Sequence, residues 1–373
     1  SSRFPDPVLQ QVEHFNSPSE TQNDSFKSVS RYFDRITRPE QILTSLPQAI
    51  NVMLDPADCG PAVISMSQDV QGEAYDYPEI FFEEKIHEIR RIHPDPNQIQ
   101  KAAEKLKQSK QPIIISGGGV LYSEAEEEIS AFAKKHNIPV TATVMGIGCM
   151  NKDDPYYISA IGCLGEGSSN NLATDTDLAL AVGTKLGDFT TGSWTNFENE
   201  NFQLVSINTS RFDTTKHRAT PVVSDAKIGL QELSKALGDW KAPDNWYQRS
   251  IEERNKWDEY VAKESGPTNK ELPSYAHAVG AVYRNADPSD IVVTAAGGLV
   301  GEVVQIWKPK ELNTFETEWG FSCMSYEISG ALGIKMAKPD QDVIVFVGDG
   351  SYLLQNSDIY SSVLYDKKLI AFI

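Results

Sequence analysis

The sequence predicts an α/β protein made of three consecutive doubly wound parallel-sheet domains. Short apolar runs of strand length alternate with segments whose apolar residues recur at helical spacing, which is the pattern of parallel sheets flanked by helices. The chain of 373 residues is also too long for one compact hydrophobic core. Two stretches without strand patterns, residues 79–94 and 238–269, divide the alternating elements into three groups.

The composition narrows the classes of function. A formal net charge of −18, without any basic stretch, disfavours binding to nucleic acid or to an anionic membrane surface. The apolar runs are too short to cross a membrane. The four cysteines lack the spacing of a disulfide framework or a zinc site: Cys59, Cys149, Cys163 and Cys323. We therefore expect a cytoplasmic protein in a reducing compartment.

The first elements are a strand, a connector and a helix. The run "PAVISMSQDV" at residues 61–70 predicts a buried strand, and the aromatic-rich segment after it predicts an extended connector, so the first domain is expected to end near Pro78. Beyond Pro96, four apolar residues at helical spacing predict a helix: Ile99, Ala102, Ala103 and Leu106.

The central group begins with the strand "QPIIIS", which ends at Gly117–Gly119. In the following "SEAE", Ser123 and Glu126 predict a capping box at the start of a helix. Further strands are predicted at "IPVTATV", "DLALAVG" and "FQLVSIN", and a last helix at "AKIGLQELSKAL" closes the group near Leu237. The three glycines are not spaced as G-x-G-x-x-G, so we interpret them as close strand-to-helix packing rather than as a dinucleotide site.

The third group follows a charged, tryptophan-bearing linker. The helix "SYAHAVGAVYRNA" leads to the strand "IVVTAAGG", the helix "EISGALGIKMA", the strand "VIVFVGDG", the helix "NSDIYSSVLYDKK" and a last strand, "LIAFI". In such a sheet, ligands bind at the carboxyl ends of the strands.

Gly348-Asp349-Gly350 stands at one of these carboxyl ends. Small residues there let backbone N–H groups approach a phosphate, and a carboxylate beside a diphosphate suits Mg²⁺. Asp349 is therefore a candidate metal ligand. The alternative from local sequence is a tight turn with a capping aspartate.

Gly-Asp-Gly followed by a helix and a strand resembles the first half of the signature of thiamin-diphosphate enzymes. The second half of that signature, an asparagine, is expected beyond Ile373. Two further segments carry the same resemblance: "VVTAAGGLVGE" at residues 292–302 and "EWGFSCMSYEISGALG" at residues 318–333. The resemblance implies three domains of the thiamin-diphosphate-enzyme type, with thiamin diphosphate and Mg²⁺ as cofactors.

Within this superfamily the chain is similar to hydrolases that open trihydroxycyclohexane-1,2-dione to 5-deoxy-glucuronate in myo-inositol catabolism. The similar segments are "DPVLQQVE", "SRYFDRITRPEQ", "SQDVQGEAYDYP", "VGTKLGDFTTGS" and "FSCMSYEISG". Acetohydroxyacid synthase, a relative, has a glycine-rich, apolar version of the segment in which this chain has Ser325 and Glu327. An acyl-transferring synthase of that kind is the alternative enzyme, and a non-catalytic nucleotide-binding or assembly module is the alternative outside enzymes.

The resemblance also implies the domain organisation. We expect the C-terminal part of a pyrimidine-binding domain at residues 1–78, a connector at 79–94, a central domain at 95–237, a linker at 238–269, and the N-terminal part of a diphosphate-binding domain at 270–373. On this interpretation the first and last domains are incomplete.

By the same resemblance, Asp349 would bind the metal and a set of backbone groups would bind the diphosphate: Gly297, Gly298, Leu299, Gly348, Gly350 and Ser351. Met324 aligns with the bulky apolar residue that holds the cofactor in a bent form; an ordinary core methionine is the alternative. Ser322 aligns with the residue whose main-chain carbonyl accepts a hydrogen bond from the 4′-amino group.

No catalytic residue is named from the sequence, because the family's proton-relay glutamate belongs to a part of the pyrimidine-binding domain that precedes residue 1. We therefore expect residues 1–373 alone to be inactive, and an active site to need a homodimer or homotetramer. The substrate is expected to be a small cyclic diketone. The six histidines are widely separated and indicate no metal site: His14, His87, His93, His136, His217 and His277.

Overall fold

The computed structural model describes residues 20–373, so the segment "DPVLQQVE" and His14 lie outside the described residues. The chain divides into two compact units, with the boundary between Ile92 and His93. All strand pairs among the described residues are parallel. The structure is thus of the mixed α/β class with parallel sheets, as the sequence predicts.

The first unit contains a parallel βαβ element. Its strands and helices are β1 (Tyr32–Ile36), α1 (Ile42–Met53), β2 (Ala62–Met66) and α2 (Gln68–Gln71). The strand predicted at residues 61–70 ends earlier, because α2 begins directly after Ser67. Residues 84–95 contain neither helix nor strand.

The second unit begins with a six-stranded sheet. Its strands are β3 (Pro112–Ser116), β4 (Val140–Ala142), β5 (Tyr157–Ala160), β6 (Leu178–Val182), β7 (Gln203–Asn208) and β8 (Thr220–Val223). Their spatial order is β5-β4-β3-β6-β7-β8, which is the order of a doubly wound sheet with its switch point between β3 and β6. Strand β3 is buried along its whole length, as expected for a central strand that helices cover on both faces.

Seven helices accompany this sheet: α3 (Pro96–Gln108), α4 (Gly118–Tyr122), α5 (Glu126–His136), α6 (Gly167–Asp175), α7 (Asp188–Thr191), α8 (Arg211–Thr215) and α9 (Ala226–Leu237). In α3 the four apolar residues predicted to face the core are buried. A 21-residue helix, α10 (Asp244–Glu264), follows and packs against α6.

The predicted capping box at Ser123 and Glu126 is wrong. Helix α4 begins directly after β3, and Ser123 stands at its end rather than before α5. Helix α5 begins after Ala125, without a side-chain cap. The Ser123 hydroxyl accepts a hydrogen bond from the N–H of Ala226 instead, so a contact with α9 takes the place of the local cap.

The second unit also contains a four-stranded parallel sheet, which we call the third sheet because it is the third along the chain. Its four strands are β9 (Ile291–Thr294), β10 (Phe315–Thr317), β11 (Val343–Phe346) and β12 (Ile370–Phe372), in the order β10-β9-β11-β12. Its helices are α11 (Tyr275–Asn285), α12 (Leu299–Ile306), α13 (Tyr326–Ala337), α14 (Asp349–Gln355) and α15 (Ser357–Leu364). One buried apolar cluster runs from the central sheet, for example Val140, to Val292 and Phe315 of the third sheet.

Candidate functional site

The strand order of the third sheet defines where a ligand would bind. The connection that leaves β9 leads to β10 on one side, whereas the connection that leaves β11 leads to β12 on the other side. The loops after β9 and β11 therefore diverge at the carboxyl edge between these two neighbouring strands. Such a switch point is where open α/β sheets bind their ligands.

The loop after β9 is made largely of glycine. Gly297 has a φ of +84°, a conformation that glycine adopts without strain, and Gly298 precedes α12. An added Cβ at either glycine would meet no atom within 4 Å. The side chain of Leu299 packs against the core, so the backbone of this loop, rather than side chains, faces the open space.

The loop after β11 carries the Gly-Asp-Gly sequence. An added Cβ at Gly348 would again meet nothing within 4 Å. Asp349 is exposed at the first position of α14, and its Oδ1 accepts a hydrogen bond from the N–H of Gly350 at 2.8 Å. Ser351 is buried in the first turn of the same helix.

The loop after β10 is held by Glu318. Its Oε1 accepts a hydrogen bond from the N–H of Phe321 at 2.8 Å, and its Oε2 accepts one from the N–H of Cys323 at 2.7 Å. Burial opposes ionisation of this carboxyl, but the backbone N–H groups outweigh it and lower the pKa of Glu318. Ser322, within the held loop, is exposed and has a φ of +50°.

The structure brings several of the predicted residues together at this edge. The Met324 side chain is 50% exposed, and its Cε lies 3.3 Å from the position that a Cβ of Gly350 would take. The hydroxyl of Ser325 donates a hydrogen bond to the carbonyl of Ser351. Met324 is thus not an ordinary core methionine, because it lies at the surface of the candidate site.

The residues at this edge are compatible with a bound diphosphate and a metal ion. The unobstructed glycines allow close approach to backbone N–H groups, which favour an anion. No described residue donates a hydrogen bond to Oδ2 of Asp349, so this oxygen is free for a cation. Within residues 20–373, no group of three or more His, Cys, Asp or Glu side chains could hold a metal by itself. A cation at Asp349 would therefore share its coordination with phosphate oxygens and water, as Mg²⁺ commonly does.

The central sheet contributes side chains next to the site. Phe189, directly after the start of α7, packs edge-on against Trp319, with ring centroids 5.4 Å apart. Leu164 lies against Gly301 of α12, 3.6 Å from the position of an added Cβ. The segment "VGTKLGDFTTGS" therefore contacts the loop that carries Ser322 and Met324.

A buried charged cluster joins the two sheets. Glu166, before α6, is 2% exposed, and its Oε2 lies 3.6 Å from Nζ of Lys308, which also pairs with Asp258 of α10. Burial raises the pKa of Glu166 to about 8; the ammonium of Lys308 opposes this rise and the charge of Asp258 adds to it.

The glycines after β3 have a packing role. An added Cβ on Gly117 would stand 2.4 Å from the carbonyl oxygen of Gly183, and one on Gly119 would stand 2.6 Å from Cα of Gly183. The two loops at the switch point of the central sheet are therefore in backbone contact. His136 is also structural in character: it is fully buried, both ring nitrogens are hydrogen-bonded, and burial lowers its pKa.

Three residues at the site were not singled out for a role from the sequence: Glu318, Glu327 and Phe189. Glu327 is buried in α13, and its Oε1 accepts a hydrogen bond from the N–H of Ala296 at 3.0 Å. Of the three, only Glu327 is noticeable in the sequence, because it is a charged residue near the start of a helix whose other residues are mostly small or apolar.

Comparison with protein families gives two adjacent matches. Residues 99–233 match the description "Thiamine pyrophosphate enzyme, central domain". Residues 295–373 match "Thiamine pyrophosphate enzyme, C-terminal TPP binding domain", and this match includes the loops after β9, β10 and β11. No described helix is both long and apolar enough to span a membrane.

Comparison with curated proteins gives relatives that are named 3D-(3,5/4)-trihydroxycyclohexane-1,2-dione hydrolase. The chain is 39% identical to the protein from Clostridium tetani and 37% identical to that from Geobacillus thermodenitrificans, in each case over 99% of the chain and 61% of the relative. It is 39% identical to the protein from Bacillus licheniformis, over 99% of the chain and 62% of the relative. The chain thus spans about three fifths of the length of these relatives.

Proposed function

Because the chain belongs to the thiamine pyrophosphate enzymes, we propose that the protein hydrolyses a C–C bond of 3D-(3,5/4)-trihydroxycyclohexane-1,2-dione. The observation that carries the proposal is the meeting of three loops at one carboxyl edge, where Met324 lies beside Gly350 and Asp349 is exposed. The shared name of relatives that align with 99% of the chain supports this choice of substrate over that of an acyl-transferring synthase.

The residues of the edge have distinct proposed tasks. Asp349 would bind Mg²⁺, and the diphosphate would lie against backbone groups of six residues: Gly297, Gly298, Leu299, Gly348, Gly350 and Ser351. Met324 would support the bent form of the cofactor, and the carbonyl of Ser322 would accept a hydrogen bond from its amino group. When bound, thiamin diphosphate supplies a carbon nucleophile and an electron sink.

The proposed reaction breaks the ring bond between the two carbonyl carbons. Water supplies the hydroxyl of the new carboxyl group and the hydrogen of the new aldehyde, so the product is the open-chain 5-deoxy-glucuronate. With this activity the protein would act in inositol catabolism. The four cysteines are all unpaired thiols, which supports a reducing, cytoplasmic location.

The test is a product analysis with the intact protein, thiamin diphosphate and Mg²⁺. We expect consumption of the dione and formation of 5-deoxy-glucuronate, followed by NMR, with no change when pyruvate is added as a competitor. Acetolactate in place of ring opening would overturn the proposal in favour of a synthase. A protein that binds the cofactor but turns over neither compound would favour a non-catalytic role.

A further inference from the structure

Glu327 is a buried carboxylate at the edge of the candidate site. It is 0% exposed and lies in the first turn of α13. Within residues 20–373 its one hydrogen bond is the one that Oε1 accepts from Ala296, and Oε2 is buried without a partner. Removing a carboxylate from water is costly, so a buried one with a single bond needs a reason to be there.

The bond from Ala296 fixes the base of the loop after β9. The next two residues, Gly297 and Gly298, have no side chains, and an added Cβ at either would touch nothing. The loop therefore has little packing of its own to hold its backbone. The carboxyl oxygen of Glu327 on α13 replaces that packing with a directional bond to the residue before the glycines.

Ser325, two residues before Glu327, makes the equivalent bond to the loop after β11. Its hydroxyl donates to the carbonyl of Ser351, directly after Gly350. Ser325 has a φ of +80°, which is uncommon for a residue other than glycine. The hydrogen bond gives a physical reason for a serine at a position whose backbone would suit glycine.

We infer that Glu327 and Ser325 are positioning residues that set the separation of the two cofactor-binding loops by tying both to the start of α13. Glu327 supplies an acceptor for an N–H on one side, and Ser325 supplies a donor for a carbonyl on the other. A glycine-rich, apolar segment at this place would supply neither bond. The inference rests on the proposed function only in taking these loops to bind thiamin diphosphate.

The variants separate the hydrogen bonds from other effects. Glu327→Leu removes the acceptor at similar volume, whereas Glu327→Gln keeps a carbonyl oxygen that can accept from Ala296. Ser325→Gly removes the hydroxyl and keeps the positive φ without strain. The control is Ser329→Ala, because the Ser329 hydroxyl lies on the same helix but, among the described residues, bonds only to the side chains of Asp358 in α15 and Gln355 at the end of α14, and not to the backbone of either loop.

Two measurements on the intact protein report positioning. Hydrogen exchange without cofactor, read by mass spectrometry, should become faster at residues 296–299 in Glu327→Leu and at residues 350–353 in Ser325→Gly. Calorimetric titration with thiamin diphosphate and Mg²⁺ should show affinity that is weaker by about 10- to 100-fold in both, the range for loss of a group that orients a binding residue. Glu327→Gln and Ser329→Ala should stay within about threefold of the wild type.

Unchanged exchange and affinity in Glu327→Leu and Ser325→Gly would overturn the inference. If Glu327→Leu does not fold, Ser325→Gly decides alone by the same two measurements. If the two variants show the expected effects but the wild-type protein does not open the dione, the proposed activity is contradicted and the positioning role stands. If the wild-type protein opens the dione and neither variant has an effect, the positioning role is contradicted and the proposed activity stands.

Discussion

Asp349 combines two features: it is exposed at the start of a helix, and it follows Gly348, where an added Cβ would meet no atom within 4 Å. The open backbone at Gly348 lets an anion approach the backbone N–H groups at this place, while the carboxylate favours a cation. A metal diphosphate satisfies both preferences at once. Asp349 is therefore the residue on which the proposed cofactor binding depends most directly.

We predict that Asp349→Asn weakens the binding of thiamin diphosphate in the presence of Mg²⁺ by at least about tenfold, since even groups that only support a metal ligand contribute that much. Chelation of the metal should have a similar effect on the wild type. Asp340→Asn is the matched control, because it removes the same charge from an exposed position before the amino end of β11. Equal affinity of Asp349→Asn and wild type, measured by calorimetry, would contradict the metal assignment.

Glu318 acts on the adjacent loop. We predict that Glu318→Ala speeds hydrogen exchange at Phe321 and Cys323 roughly two- to tenfold, because each lost hydrogen bond contributes about 0.5–1.5 kcal/mol. The folded pKa of Glu318 is lowered from its ordinary value of 4.5, so the stabilising charge is present above that value and is lost as the pH falls through the folded pKa.

The difference between Glu318→Ala and the wild type should consequently shrink at acidic pH. Glu311→Ala, at an exposed glutamate before β10, should behave as wild type at every pH. A difference that stays constant down to acidic pH would show that the Glu318 charge does not hold the loop.

At the residue scale, the sequence predicts the parts of the site whose function depends on their immediate neighbours. Gly348-Asp349-Gly350 is visible because the residues that matter are adjacent in the chain. Glu318 also bonds locally, but nothing in its type distinguishes it from a surface glutamate. The bond from Ala296 to Glu327 spans 31 residues and arises only when the third sheet is assembled.

At the scale of elements, some segments are predicted closely and others are missed. The predicted bounds of α9 agree with the structure, and those of α11 differ by one residue at each end. Strands β5, β8 and β10, with three or four residues each, are missed, and so are β1 and helix α1. Strands β4, β9, β11 and β12 are as short, but each lies within a longer apolar run that the sequence shows. Helix α12 was hidden by the glycines before it. The sequence of the linker before the third group is compatible with a helix or with irregular structure. In the structure most of this linker is the helix α10.

The cluster of Glu166, Lys308 and Asp258 links three elements and gives a pH prediction. The folded pKa of Glu166, about 8, lies above its ordinary value of 4.5. The stability that it contributes is therefore complete below about 4.5 and is lost as the pH rises toward 8. Glu166→Gln should flatten this decline, and near pH 8 it should be more stable than the wild type by about 1 kcal/mol or more.

The measurement is urea unfolding between pH 5 and pH 9, followed by circular dichroism. Lys308 keeps Asp258 as its partner in the variant, and Arg254 stands 3.7 Å from Asp258, so the remaining charges stay paired. Glu232→Gln removes an exposed partner of Lys235 and should leave the pH dependence unchanged. Parallel pH profiles of wild type and Glu166→Gln would refute the assignment.

At the scale of the whole molecule, the sequence predicts the alternation of strands and helices and therefore the parallel sheets. It does not predict that the central and third sheets share one apolar cluster, because the contacts between them join residues far apart in the chain, such as Gly148 and Asn313. The same long-range packing brings Phe189 to Trp319. The part of the site contributed by the central sheet is for that reason absent from the sequence-based prediction.

The helices α14 and α15 support the proposal of a homodimer or homotetramer. They leave several large apolar side chains largely exposed: Leu353, Leu354, Tyr360, Val363 and Leu364. We predict that the intact protein sediments as a dimer or larger, and that Leu354→Lys weakens its association by about tenfold, the effect of losing one well-packed contact. Leu272→Lys, in an exposed loop before α11, is the control. A monomer at all concentrations would contradict the proposal.

The contact between Phe189 and Trp319 also gives the molecule an optical signal. Of the six tryptophans, Trp319 lies next to the Glu318-held loop, whereas Trp246 and Trp307 are buried in the core. Indole emission depends on the polarity and mobility of its surroundings. Any event that moves the loop or separates the two sheets therefore changes the fluorescence of Trp319, and a Trp319→Phe variant identifies that component. The protein thus carries its own reporter for movement of this loop, without an added label.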